Sequence, residues 1–226
     1  METPPTVYTY RETRLDLDSS IQDSTVAIRL PAPGAPWSSR TAQRRPHLVA
    51  IPVAEDEDQF RQRHIATAAS IYHRVHHKSP RSFLWRILED GKVLSIRAVD
   101  VSRQPNVADA NLTLRLSFPS RIIPTCVALS DSDAHDVLSV FVMTESKYLY
   151  TLNFRPDHFR KPSSTEDNVG DWCKLYSQSS LTFKVCHRLV ALAADVLLLS
   201  FTNGELIRLT RKSGGDGEFE YKESAC

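Results

Sequence analysis

From residue 82 onward, apolar residues recur at every second position in short runs, and tight polar turns separate the runs. That period puts alternate side chains on opposite faces of an extended chain, so the pattern specifies β-strands. The runs are residues 82–89, 92–101, 111–118, 123–129, 137–144, 147–154, 172–176, 181–193, 196–202, 205–211 and 218–221. Asp90-Gly91 and Asn203-Gly204 punctuate them, two dipeptides that accept the positive φ angles of a hairpin turn, as does Gly214-Gly215-Asp216-Gly217. Parallel strands need long, usually helical crossovers, and no helical periodicity intervenes here. Alternating βαβ enzyme folds are therefore excluded, and the strands must bury their faces against other sheets.

The first 80 residues are more mixed. Residues 6–11, 24–30 and 48–53 read as short strands rich in Val, Ile and Tyr. Residues 31–39 carry too many prolines for a ladder or a helix and are expected to loop. Arg40, Arg44 and Arg45 beyond them read as solvated charge rather than an import signal. One helix is expected near residues 55–78. Acids crowd its start and His73, Arg74, His76, His77 and Lys78 its end, as the helix dipole favours. Phe60, His64, Ala68, Ile71, Tyr72 and Val75 would form its apolar stripe, and Ser79-Pro80 would stop it.

A weak internal repeat narrows the architecture. Asp136-Val137-Leu138-Ser139-Val140 parallels Asp195-Val196-Leu197-Leu198-Leu199, and each is followed by a tight turn and a more amphipathic strand. The unit recurs after about 58 to 59 residues, longer than the roughly 40–45 of a plain propeller blade, and the polar insertion at residues 155–171 accounts for the excess. Antiparallel strands with the greasiest toward the middle suit a propeller, where neighbouring blades bury one another. The expected fold is thus mainly all-β: a partial β-propeller of about three to four antiparallel blades plus the one helix, with about fourteen strand candidates at four per blade. Trp85, Leu138, Val140, Leu197 and Leu199 are the expected core residues.

No catalytic template is satisfied. The 7 glycines make neither a dinucleotide fingerprint nor a phosphate loop, and no serine sits in a nucleophile elbow. Lys plus Arg number 28 against 27 acids, which gives no electrostatic case for nucleic acid or a membrane surface. No run approaches the roughly 18 apolar residues of a membrane span, and the first residues lack the pattern of a signal peptide. Cys126, Cys173, Cys186 and Cys226 are too dispersed for a zinc framework and read as reduced thiols, the first and third in apolar strands. The sequon at Asn111 is expected to be unused. Asp131, Asp133 and Asp136 fail the calcium-loop pattern, since Asp136 stands where its glycine belongs, and are expected in an exposed turn. His73 would share a helix face with either His76 or His77 and could ligate zinc with it, yet the glutamate of an H-E-x-x-H pattern is missing and no third ligand is signalled. Trp37, Trp85 and Trp172 are too scattered for a base-stacking platform. The sequence therefore implies no enzyme, no cofactor, no metal and no small-molecule substrate.

The stretch Phe60-Arg61-Gln62-Arg63-His64-Ile65-Ala66-Thr67-Ala68-Ala69-Ser70-Ile71-Tyr72, continuing through His76-His77-Lys78-Ser79-Pro80-Arg81-Ser82-Phe83-Leu84-Trp85-Arg86 and Leu88-Glu89-Asp90-Gly91-Lys92-Val93-Leu94, is specific enough to compare. It resembles the N-terminal region of the nucleoporin 120/160 family, scaffold proteins of the nuclear pore's Y-shaped outer-ring complex, in its filamentous-fungal form. The later β run, through Ile122-Ile123-Pro124 and the Asn203-Gly204 hairpin, fits the same region. The resemblance implies a seven-bladed N-terminal propeller leading into a helical solenoid, with other Y-complex nucleoporins as partners. It further implies a place at the nuclear pore in the nuclear envelope, and a part in pore assembly and in protein and mRNA transport. Against that pattern, residues 1–226 are expected to be one incomplete propeller domain, with residues 1–80 supplying the first strands, loop and helix and residues 81–226 the consecutive blades. Two other readings carry different expectations: a cytosolic propeller adaptor without the similarity over residues 60–94, and a metal-dependent enzyme built on the histidines.

Overall fold

A computed structural model of the chain describes residues 25–33, 66–74, 82–99, 112–131, 136–155, 158–159, 172–177, 184–213 and 219–226. The expected strands at residues 6–11 and 48–53, most of the proline-rich loop, the three arginines, Trp37, Asn111, Asp133, His76 and His77 lie outside these residues.

The alternating runs form strands that pair into three sheets. Sheet A contains β1 (Thr25–Arg29), β2 (Ala68–His73), β3 (Ser82–Leu88), β4 (Val93–Val99) and β5 (Thr113–Ser117) in the order β1-β5-β4-β3-β2. Sheet B contains β6 (Ile122–Asp131), β7 (Leu138–Thr144), β8 (Leu149–Phe154) and β9 (Cys173–Tyr176). Sheet C contains β10 (Cys186–Ala193), β11 (Val196–Phe201), β12 (Leu206–Ser213) and β13 (Phe219–Ala225). In sheets B and C each strand pairs antiparallel with the next in sequence, the meander of a propeller blade.

Sheet B lies between the other two, and the alternation of its residues shows it. Leu138, Val140 and Val142 of β7 join Tyr150, Leu152 and Phe154 of β8 in one core shared with Phe83, Trp85, Leu94, Ile96 and Leu116 of sheet A. The intervening residues Phe141, Met143 and Leu149 join a second core with Leu189, Leu197, Leu199, Phe201 and Leu209 of sheet C. Both faces of sheet B are thus apolar and covered, as successive blades require. Aromatic rings close the first core: Phe118 meets Tyr150 edge-on at 5.0 Å and Phe154 lies 5.3 Å from Trp172.

The helix expected near residues 55–78 is corrected by sheet A. Residues 68–73 are strand β2, paired with β3 from Ala68↔Ile87 to His73↔Ser82. Ala68 and Tyr72 pack on the core, while Ala69, Ser70 and Ile71 stay exposed. Six residues of ladder with the almost fully buried β3 outweigh a modest helical preference. Residues 55–65 and 75–78 lie outside the described residues.

β1 is the second departure. It runs parallel to β5, from Thr25↔Thr113 to Arg29↔Ser117, where every other pair is antiparallel. Val26, Ile28 and Leu30 point into the first core, whereas Ala27 and Arg29 are exposed. Burying three such side chains contributes about 1.5–3 kcal/mol each, or roughly 5–9 kcal/mol. Ordering the five-residue strand together with Leu30 costs about 1–2 kcal/mol per residue, or roughly 6–12 kcal/mol. The two sums nearly cancel, so β1 is held with little net free energy.

Two turns show why the sequence punctuates where it does. Glu89, Asp90 and Gly91 take φ values of 50°, 55° and 79°, so the β3–β4 connection spans Glu89 to Lys92 and is wider than the two-residue turn expected at Asp90-Gly91. Ile122 donates its amide to the Gly91 carbonyl at 2.8 Å, which ties this turn to the start of sheet B. Gly204, at φ 86°, closes the β11–β12 hairpin.

Candidate functional site

The polar chemistry lies at the joints between sheets. Arg74 follows β2 directly, and its guanidinium reaches across to sheet B. Nη2 donates to Asp136 Oδ1 at 2.7 Å, Nε lies 3.5 Å from Asp131 Oδ2, and the group sits 6.0 Å from the Phe83 ring centroid. The Arg74 and Asp131 side chains are 3% and 1% exposed. The Tyr72 hydroxyl donates to Asp131 Oδ1, and burial, reinforced by that carboxylate, pushes the phenol well above its ordinary range. Asp131, expected in an exposed turn, is instead the buried acceptor of this clip, and Asp136 is its outer arm. His73 is exposed on a strand, with Nδ1 2.8 Å from Ser82 Oγ. The helix face on which it was to meet His77 does not extend to it.

The joint between sheets B and C uses hydroxyls rather than charges. Thr151 and Tyr221 share a buried hydrogen bond of 2.9 Å. The Tyr176 hydroxyl donates to Glu223 Oε1 at 3.2 Å, with its ring edge-on to Tyr221 at 5.2 Å. The Thr125 hydroxyl donates to the His187 carbonyl, joining the inner strands β6 and β10. Cys126 and Cys186 share the second core. Burial, with a smaller contribution from Cys186, pushes the Cys126 thiol up to about 12, and burial also raises Cys173 and Cys186. These three thiols stay protonated near neutral pH, which suits packing and not nucleophilic chemistry. Cys226 is exposed.

The far face of sheet C is of another kind. Val185, Val190 and Leu192 are 59%, 39% and 61% exposed, three of the four exposed large hydrophobics among the described residues. Val190 pairs with Leu198, and Leu198 with Arg208, so these side chains share the face turned away from sheet B. Arg188, Arg208, Lys212 and Lys222 are exposed as well. An aliphatic stripe with basic neighbours is an interaction surface in chemical type.

Of the residues singled out in the sequence, Trp85, Leu138 and Val140 lie in the core between sheets A and B. Leu197 and Leu199 lie in the core between B and C. Tyr72 and Asp131, and Thr151 and Tyr221, carried no signal of partnership, because 59 and 70 positions separate the partners. Asp136 alone had one, its place at the head of the repeat.

Among the described residues no group of three or more His, Cys, Asp or Glu side chains is placed to hold a metal, and no helix is long and apolar enough to cross a membrane. The family model for the β-propeller domain of nucleoporin Nup120/160 matches residues 81–225, the stretch that forms β3 to β13. Nucleoporin NUP120 of Chaetomium thermophilum is 42% identical over 202 residues, covering 89% of this chain and 16% of the relative. Nucleoporin nup120 of Schizosaccharomyces pombe is 24% identical over 196 residues, covering 86% of this chain. The chain therefore spans about 16% of the length of each of these relatives. With three meandering sheets stacked face to face over the matched residues, this chain belongs to the nucleoporin Nup120/160 family, whose β-propeller domain its residues 81–225 match.

Proposed function

We propose that this chain serves as a structural part of the nuclear pore complex, at the nuclear envelope, where its stacked sheets present rims and faces to other nucleoporins of the Y-shaped complex. The role is architectural and supports pore assembly and the traffic of protein and mRNA. The observation that carries this reading is the coincidence of the family match with the sheets: residues 81–225 match the propeller, and the described residues among them form propeller sheets. The inter-sheet joints favour it too. Most of the polar groups described there are paired across the joints, the thiols are buried and protonated, and the exposed chemistry is an aliphatic and basic face. That is what a binding scaffold requires and what a catalyst does not. We propose further that the sheets form one propeller domain together with β1 and β2.

Fluorescent tagging in a filamentous fungus tests the reading. Rim staining of the nucleus, with co-purification of other Y-complex nucleoporins, is the expected result. Diffuse cytosolic signal would favour an adaptor outside the pore. Stoichiometric zinc in protein purified without chelators would favour the metal-enzyme alternative.

A further inference from the structure

We propose that the outer edge of sheet A is a strand-acceptor slot, with β1 as its tethered and releasable occupant, and that it takes an extended aliphatic segment of a partner protein in the same way. Three observations carry this. First, β1 lies parallel to β5, a geometry that no hairpin can deliver, so the strand is supplied to a ready edge from elsewhere in the chain. Second, it is gripped on one side only. Val26, Ile28 and Leu30 enter the core at alternate positions beside Leu114 and Leu116, while Ala27 and Arg29 face solvent. Third, the slot has one polar end, past Arg29, that reads backbone rather than side chains. The Leu30 amide donates to the Ser117 carbonyl at 2.9 Å, and the Tyr150 hydroxyl of sheet B donates to the Pro31 carbonyl at 3.3 Å.

The ligand chemistry follows from the resident. The slot takes an extended segment with aliphatic side chains at three alternate positions and a free carbonyl just beyond the third, bound by main-chain hydrogen bonds along β5. The near cancellation of burial and ordering for β1 makes exchange feasible. Its tether gives it the advantage of high local concentration until a partner strand is abundant or better matched.

Two measurements on the full chain test this. In native-state hydrogen exchange, the amides of the β1 segment that bond β5, that of Leu30 among them, should exchange at least about tenfold faster than those of β4 while sheets B and C stay protected. In fluorescence anisotropy, a labelled peptide of residues 25–33 should bind the chain saturably, and at least about tenfold more tightly when the chain carries Ile28→Asp, which weakens the resident strand. The same peptide carrying Ile28→Asp should not bind. Exchange of β1 only together with β4, absence of peptide binding to both chains, or equal binding of the altered peptide overturns the proposal. So does a concentration-dependent dimer that the peptide dissolves, which would assign the slot to β1 of a second copy. Should the Ile28→Asp chain fail to fold, the exchange measurement on the unaltered chain decides alone.

Discussion

Replacing Arg74 by alanine removes the cation that lies between Asp131 and Asp136, and it leaves Asp131 as a carboxylate 1% exposed at the joint of sheets A and B. Breaking a buried ion pair from one side typically costs about 3–5 kcal/mol, because the stranded charge keeps its desolvation penalty. Two features place this site at the lower end. The Tyr72 hydroxyl still donates to Asp131, and Asp136, with 32% of its side chain exposed, can be rehydrated. The expected loss is about 3 kcal/mol, and with a urea dependence of about 2 kcal/mol per molar it lowers the unfolding midpoint by roughly 1–2 M. Tryptophan fluorescence reads the relevant region, since Trp85 and Trp172 both sit in the core this clip closes. Asp131→Asn removes the charge from the other side, and the double variant should recover part of the loss, with a coupling energy of about 1 kcal/mol or more. A midpoint shift below about 0.3 M for Arg74→Ala, or strict additivity of the two substitutions, would refute the clip as an energetic link between sheets.

Tyr221→Phe removes a hydroxyl and strands that of Thr151, itself 2% exposed, so a loss of about 1–2 kcal/mol is expected by urea titration, while Arg74 and its partners are undisturbed. Leu197→Ala opens a cavity in the second core and should cost about 2–5 kcal/mol on the same assay. Under native conditions a thiol reagent should label Cys226 at once and Cys126, Cys173 and Cys186 only after unfolding, as mass spectrometry of the labelled chain can show. Cys126 keeps its proton to about 12 when folded against 9.0 as its ordinary value. The unfolded chain then binds fewer protons across that window, so stability is complete below about pH 9 and falls as pH rises toward 12. Cys126→Ala should flatten part of that slope in denaturant midpoints measured from pH 8 to 11.

The β class, the turn positions and the sheet faces were legible because burial writes itself into a period of two. Residues 137–144 and 196–202 delivered β7 and β11 almost to the residue. The expected core positions Val140 and Leu199 are fully buried for the same reason. What escaped was whatever depends on partners distant in sequence. Residues 68–73 carry alanines, a serine and an isoleucine in an order that fits either period, and only pairing with β3 decides for a strand. The parallel seat of β1 needs β5 already in place, which no local pattern announces. Asp131 looked like turn chemistry because acids cluster near it, and its burial comes from Arg74 on another sheet. The resemblance read from residues 60–94 drew on similarity rather than physics, and it supplied the family where periodicity supplied only the architecture.

Sheet B poses an unusual recognition problem for the folding chain. Most strands are told which way to face by having one oily side and one wet side, but here both are oily. They differ in shape and in a few buried polar groups: Leu138, Val140 and Val142 on one side, Phe141, Met143 and the hydrogen-bonded Ser139 on the other. A slip of one position would trade these sets and carry Ser139 away from Asn153. Correct alignment of β7 is therefore checked by the contours of sheets A and C as they close on it, and by the single Ser139–Asn153 bond.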